Sequence, residues 1–218
     1  MILEPIPPTV LSVRRIPNAD PAVLRSFGAD PERHGALGLV TCDQDDPTYV
    51  ALDEATKHAP VDVVFARSFY AGSAHASGRL SGEILGVLAA ADTAEIDEGL
   101  DALIRCLQHD ACFYDADGHR TITVFPHVIA SLGRYLSVQA GVPAGSPMAY
   151  LVAPPIEAAI AFDAALKAAD VRCVKFFAPP TETNFSAAWL VGELADCEAA
   201  ATAFAETVVA VGAQPVIR

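Results

Sequence analysis

An internal repeat constrains this chain more than any other feature. The segment Asp53-Glu54-Ala55-Thr56-Lys57-His58-Ala59-Pro60-Val61-Asp62-Val63-Val64 returns 110 residues later as Asp163-Ala164-Ala165-Leu166-Lys167-Ala168-Ala169-Asp170-Val171-Arg172-Cys173-Val174. Asp, Lys and two Val recur in register, with apolar positions kept between them. A chain that repeats itself builds one supersecondary unit twice. Its 218 residues suffice for two units of about 100–110 residues each.

Each copy reads as a helix running into a strand. In the first, Asp46 is placed to cap, Pro47 suits the first helical position and Pro60 ends the helix. Val61-Asp62-Val63-Val64-Phe65 then alternates as a strand does. In the second, Pro154-Pro155 opens the helix and a strand spans Val171 to Phe176. Another apolar strand precedes each helix, at Gly38–Cys42 and Met148–Val152. After the second strand of each copy comes an irregular loop, Arg67–Ser81 or Ala178–Ser186, then a strand, then a helix over Thr93–His109 or Cys197–Val211. Asp92 and Asp196 are read as caps of those helices, and Asp92 with Glu95 has capping-box spacing. The unit is thus β-α-β-loop-β-α, written twice. It is an α+β arrangement, each copy an α/β layer with a small sheet and helices on it. Residues 1–35 and 111–145 are additions, with a short strand near Cys112-Phe113-Tyr114 and a helix expected from His127 to Gln139. The Gly/Pro-rich run Gly141–Pro147 is taken as the boundary, giving domains 1–140 and 141–218, with elements free to exchange between the halves.

Composition narrows the function. Asp and Glu outnumber Lys and Arg 27 to 14, a net charge of −13 that argues against nucleic acid and anionic membrane as partners. The longest apolar stretch, Ile84–Ala91, is far too short to span a bilayer, and the first eight residues do not read as a secretory leader. The cysteines are Cys42, Cys106, Cys112, Cys173 and Cys197, an odd count without a C-x-x-C pair, which fits neither a disulfide framework nor a zinc ribbon. No histidine pair has metal-ligand spacing, so no metal or cofactor is expected. No nucleophile elbow, Walker loop or dinucleotide fingerprint is present, and the small-residue loops join strand to strand, away from a phosphate-binding helix start. A duplicated chain without a catalytic motif leans toward binding or assembly.

Both helix–strand copies resemble the bacterial microcompartment shell domain, whose hallmark reads roughly D-x-x-x-K-A-A-x-V. Asp163, Lys167, Ala168, Ala169 and Val171 match it, as do Asp53, Lys57 and Val61 in the first copy. Asp45-Asp46-x-Thr48-Tyr49, Tyr70-Ala71-Gly72, Ser146–Pro155 and Glu182–Ala188 further resemble the tandem-domain shell proteins of ethanolamine-utilisation compartments. The resemblance implies two tandem, circularly permuted domains and a homotrimer that forms a flat pseudo-hexagonal tile. Such a tile would pack with other shell proteins in the shell of a cytoplasmic microcompartment. It implies a gated central pore, with Arg67, Phe69, Tyr70, His75, Glu182 and Asn184 as pore-loop candidates. It also implies a pocket in each subunit for a small amine such as ethanolamine, carried by motif match to Asp45, Glu83, Phe113 and Thr183. Lys57 and Lys167 become tile-edge candidates, although both also read as exposed helix ends. Two other readings stay open at this point: an amine-acting enzyme using Asp45 and Glu83 as an acid–base pair, and a soluble amine sensor of the same fold.

Overall fold

A computed structural model of the chain describes residues 3–69, 78–179 and 184–216. In chain order the elements begin with β1 (Glu4–Ile6), β2 (Val10–Ile16), α1 (Pro21–Ser26), β3 (Ala36–Cys42) and α2 (Asp45–His58). There follow β4 (Asp62–Ser68), β5 (Ile84–Ala90), α3 (Thr93–His109), β6 (Phe113–Asp115), β7 (Thr123–Ile129) and α4 (Arg134–Ala140). The chain continues through β8 (Met148–Ala153), α5 (Pro155–Ala168), β9 (Arg172–Phe177), β10 (Ser186–Val191) and α6 (Leu194–Ala213). These elements fall into two compact units.

One unit comprises residues 7–111 and 133–136. Its sheet has the order β2-β3-β5-β4, with every neighbouring pair antiparallel. Side chains alternate across the strands. Leu37, Val87 and Ala89 face α1 and pack with Ala19, Leu24 and Ala29. The opposite face meets α2 and α3 through glycines. A Cβ at Gly38 would stand 2.8 Å from Ile96, and one at Gly86 would stand 2.9 Å from Leu52. Asp92 caps α3 by accepting from the amides of Ala94 (2.8 Å) and Glu95 (3.0 Å), as its spacing from Glu95 predicted.

The other unit comprises residues 1–6, 112–132 and 137–218. Its sheet has the order β1-β6-β7-β8-β10-β9. One face packs on α5 and α6 through Ala149, Leu151, Ala153 and Leu190 against Ala158, Ala161, Ala165, Ala200 and Phe204. Alanine at these contacts lets two helices lie close to each other and to the sheet. The other face carries rings: Phe125 against Phe113 (centroids 5.1 Å apart) and Tyr150 (5.6 Å), and Trp189 against Tyr150 (5.2 Å) and Phe177 (5.3 Å).

The repeat appears as topology. β2-β3-β5-β4 with α2 and α3 in one unit corresponds to β7-β8-β10-β9 with α5 and α6 in the other. Several local expectations are corrected. His127 lies in strand β7, and the helix expected there begins only at Arg134. The β-branched run Thr121–Val124 with Val128 and Ile129 favours a strand. Helix α2 starts two residues early, so Asp45 and Asp46 occupy its first turn and Gln44 is the cap residue. Helix α6 starts at Leu194 behind Glu193, which places Asp196 inside the first turn. Strands β1, β6 and β7 lie in the sheet of the second-described unit, and residues 133–136 belong to the first-described one.

Candidate functional site: an acidic junction beside helix α2

The junction of β3, α2 and β5 gathers three carboxylates. Strand β3 ends at Cys42, whose carbonyl accepts from the Glu83 amide at 2.8 Å. Gly82 makes this approach possible. Its φ is +63°, and a Cβ there would lie 2.0 Å from the Cys42 carbonyl oxygen. The entry to β5 is thereby pressed against the β3–α2 turn, which brings Glu83 within electrostatic range of Asp45 and Asp43. Asp43 is oriented by the Thr9 amide, which donates to its Oδ1 at 2.6 Å. Asp45 is 8% exposed, and its Oδ1 accepts from the Asp46 amide at 2.9 Å. The positive end of α2 favours negative charge in this first turn.

Glu83 has a different environment. The residue stands at an exposed rim, yet its carboxyl is shielded by neighbouring atoms. That desolvation, then repulsion from Asp45 and from Asp43, pushes the carboxyl up to about 7. A cation placed here would relieve the repulsion and return Glu83 to its ionised form. An ammonium offers three such donors. Among the described residues no group of three His, Cys, Asp or Glu side chains is arranged to hold a metal ion. Among them, too, no helix is long and apolar enough to cross a membrane.

The same junction fixes the neck of the loop after β4. Tyr49, one turn beyond Asp45, meets the Ser68 hydroxyl at 2.9 Å and accepts from the Ser68 amide at 3.0 Å. The Phe69 amide donates to the Glu83 carbonyl at 2.9 Å, closing the two ends of the loop on each other. The sequence assigns no role to Asp43 or Ser68, and Tyr49 enters only within the Asp45-Asp46-x-Thr48-Tyr49 segment. The i, i+4 spacing of Asp45 and Tyr49 on a helix is the signal that would have found the tyrosine.

The remaining expected residues lie elsewhere in the chain or outside the described residues. Phe113 lies on β6 in the other unit, its ring 5.1 Å from Phe125 and 6.2 Å from Phe185. Arg67 is exposed on β4 and Phe69 is half-buried just after it. Asn184 is exposed with a left-handed backbone, φ +63°. Tyr70, His75, Glu182 and Thr183 lie outside the described residues. The Lys57 side chain is 25% exposed and paired with Glu54, whereas the Lys167 side chain is 74% exposed and paired with Asp163 at 2.5 Å.

Comparison with known proteins agrees with this architecture. The BMC domain family matches residues 36–109, within the first-described unit. A bacterial microcompartment shell protein EutL from Clostridium perfringens is 49% identical over 96% of this chain and 96% of its own length. The EutL shell protein of Salmonella typhimurium is 44% identical over 99% of this chain and 98% of its own. The crystal structure of the ethanolamine utilization protein EutL from Leptotrichia buccalis superposes with a TM-score of 0.95 at 45% identity, covering all of both chains. These relatives are named as shell or utilization proteins and not as enzymes. With identity at this level across nearly its whole length, the chain belongs to the family of EutL bacterial microcompartment shell proteins.

Proposed function

We propose that this shell protein assembles as a homotrimeric tile with a gated central pore, and that Asp45 and Glu83 bind a small amine such as ethanolamine in each subunit. The observation that carries the amine reading is the approach of Glu83 to Asp43 and the buried Asp45, imposed by the Gly82–Cys42 contact. A carboxyl held near 7 beside a buried carboxylate is a site that gains most from a monovalent cation. An ammonium alcohol also brings a hydroxyl, which suits the polar turn around Asp43 and Asp45. The tile reading is supported by family membership and by two units of matching topology in one chain. On that reading Arg67 at the end of β4 and the loops after β4 and β9, which carry Phe69 and Asn184, serve the pore.

Calorimetric titration with ethanolamine near pH 7 tests the amine site. The wild type should bind and release a fraction of a proton, seen as a dependence of the heat on the buffer's ionisation enthalpy. Asp45→Ala and Glu83→Ala should each weaken binding roughly tenfold or more, the scale of one charge-assisted hydrogen bond. A wild type without binding heat, or variants that bind equally well, would overturn the pocket assignment.

A further inference from the structure

The ring-bearing face of the six-stranded sheet holds a second polar site. Trp189 on β10 is 4% exposed, and its indole N–H has no acceptor among the described residues. Buried N–H groups are almost always paired. Directly across the ladder stands Lys175 on the edge strand β9. Its ammonium lies 4.9 Å from the Trp189 ring centroid and 5.0 Å from that of Phe177. Lys175 forms no ion pair among the described residues, although the chain carries 27 acidic residues. An ammonium and an indole N–H, neither with an anionic or carbonyl partner among the described residues, therefore stand on one cross-strand pair.

The backbone is shaped around this pair. The β9–β10 register shifts between Trp189 and Leu190, so that Trp189 opposes Lys175 while Leu190 opposes Cys173. Lys175 shares the ring-bearing face with Phe177 by ordinary alternation, and the bulge that follows leaves Val174 without an opposite residue. The Tyr150 and Phe177 rings, 5.2 and 5.3 Å from the indole, lower the polarity around the donors. In such surroundings a hydrogen bond to a charged acceptor strengthens.

We propose that Lys175 and the Trp189 indole N–H bind the carboxylate of a small organic acid at the β9–β10 edge. A planar carboxylate can accept from the ammonium with one oxygen and from the indole with the other. This site lies wholly on strands β9 and β10 and is independent of Asp45 and Glu83. It would give a shell protein a means of sensing or passing a small acid as well as an amine.

Trp189 is the chain's single tryptophan, so its emission reports on this site alone. Sodium acetate should replace sodium chloride at constant ionic strength in a titration of the full-length protein. A saturable change in Trp189 emission is expected. Lys175→Met should weaken it roughly tenfold or more, the size of one lost charge-assisted hydrogen bond. Lys175→Arg should retain it, which separates loss of charge from loss of fold. No change with acetate, or an equal response in Lys175→Met, would overturn the site. Sodium phosphate that saturates as tightly as acetate would overturn the assignment to carboxylates.

Discussion

Glu83 makes stability depend on pH in a predictable direction. Its carboxyl sits near 7 in the folded chain against an ordinary value of 4.5. The folded state therefore holds this proton more tightly than the unfolded state. Stability from this group is greatest below about 4.5 and declines as pH rises toward about 7. Because Glu83 is an exposed residue, solvent screening reduces the effect to about 1 kcal/mol. Glu83→Gln should remove that slope, so that the variant matches the wild type near pH 5 and exceeds it near pH 7.5 in urea unfolding. Parallel curves for the two proteins would show that neither desolvation nor repulsion from Asp45 and Asp43 raises the Glu83 carboxyl. The sequence made the two carboxylates visible through motif resemblance, but it did not show why they meet. That depends on Gly82, whose left-handed backbone and missing Cβ admit the Cys42 carbonyl. A close backbone approach between residues 40 positions apart leaves no mark on local periodicity.

The repeated D-x-x-x-K element has two physical roles in its two copies. Asp163 is exposed and pairs with Lys167 along α5. Asp53 is 1% exposed and caps α4, accepting from the Gly133 amide at 2.6 Å and the Leu136 amide at 2.8 Å. Thr56 extends the contact by accepting from the Arg134 amide at 2.9 Å, and the Arg134 guanidinium reaches the carbonyls of Ala59 and Val61 at 3.2 and 2.8 Å. Gly133 is required there, since a Cβ would stand 2.5 Å from both the Asp53 carbonyl and the Thr56 hydroxyl. Burial pushes the Asp53 carboxyl up, and the Leu136 and Gly133 amides oppose that. Asp53→Ala would strand two buried amides and should cost about 2–4 kcal/mol in urea unfolding. Asp163→Ala should cost less than about 0.5 kcal/mol, as an exposed i, i+4 pair does. Equal costs would sink the distinction. The order of strands and long helices was legible in the sequence because periodicity and the repeat agreed. The helix expected at His127 failed because apolar spacing at 127–139 suits either element, and pairing with β8 decided for a strand.

At the scale of the whole molecule, 41 alanines and a charge of −13 pull in opposite directions. Small side chains give flat surfaces on which copies can pack closely. A single chain also leaves large apolar side chains in water, among them Val138 at 77%, Ile156 at 69% and Ile160 at 49% exposure. Their burial between copies would favour association. Like charge on every copy opposes it, and that repulsion reaches farthest at low ionic strength. The screening length is about 30 Å near 0.01 M salt and about 8 Å near 0.15 M. If apolar contact drives the proposed trimer, its stability rises with salt. Light scattering at micromolar protein should then give three times the 22.8 kDa chain mass near 0.15 M salt, with dissociation on dilution more pronounced near 0.01 M. The reverse trend, dissociation as salt rises, would mean that ion pairs hold the copies together. A mass of one chain at both ionic strengths would remove the trimer.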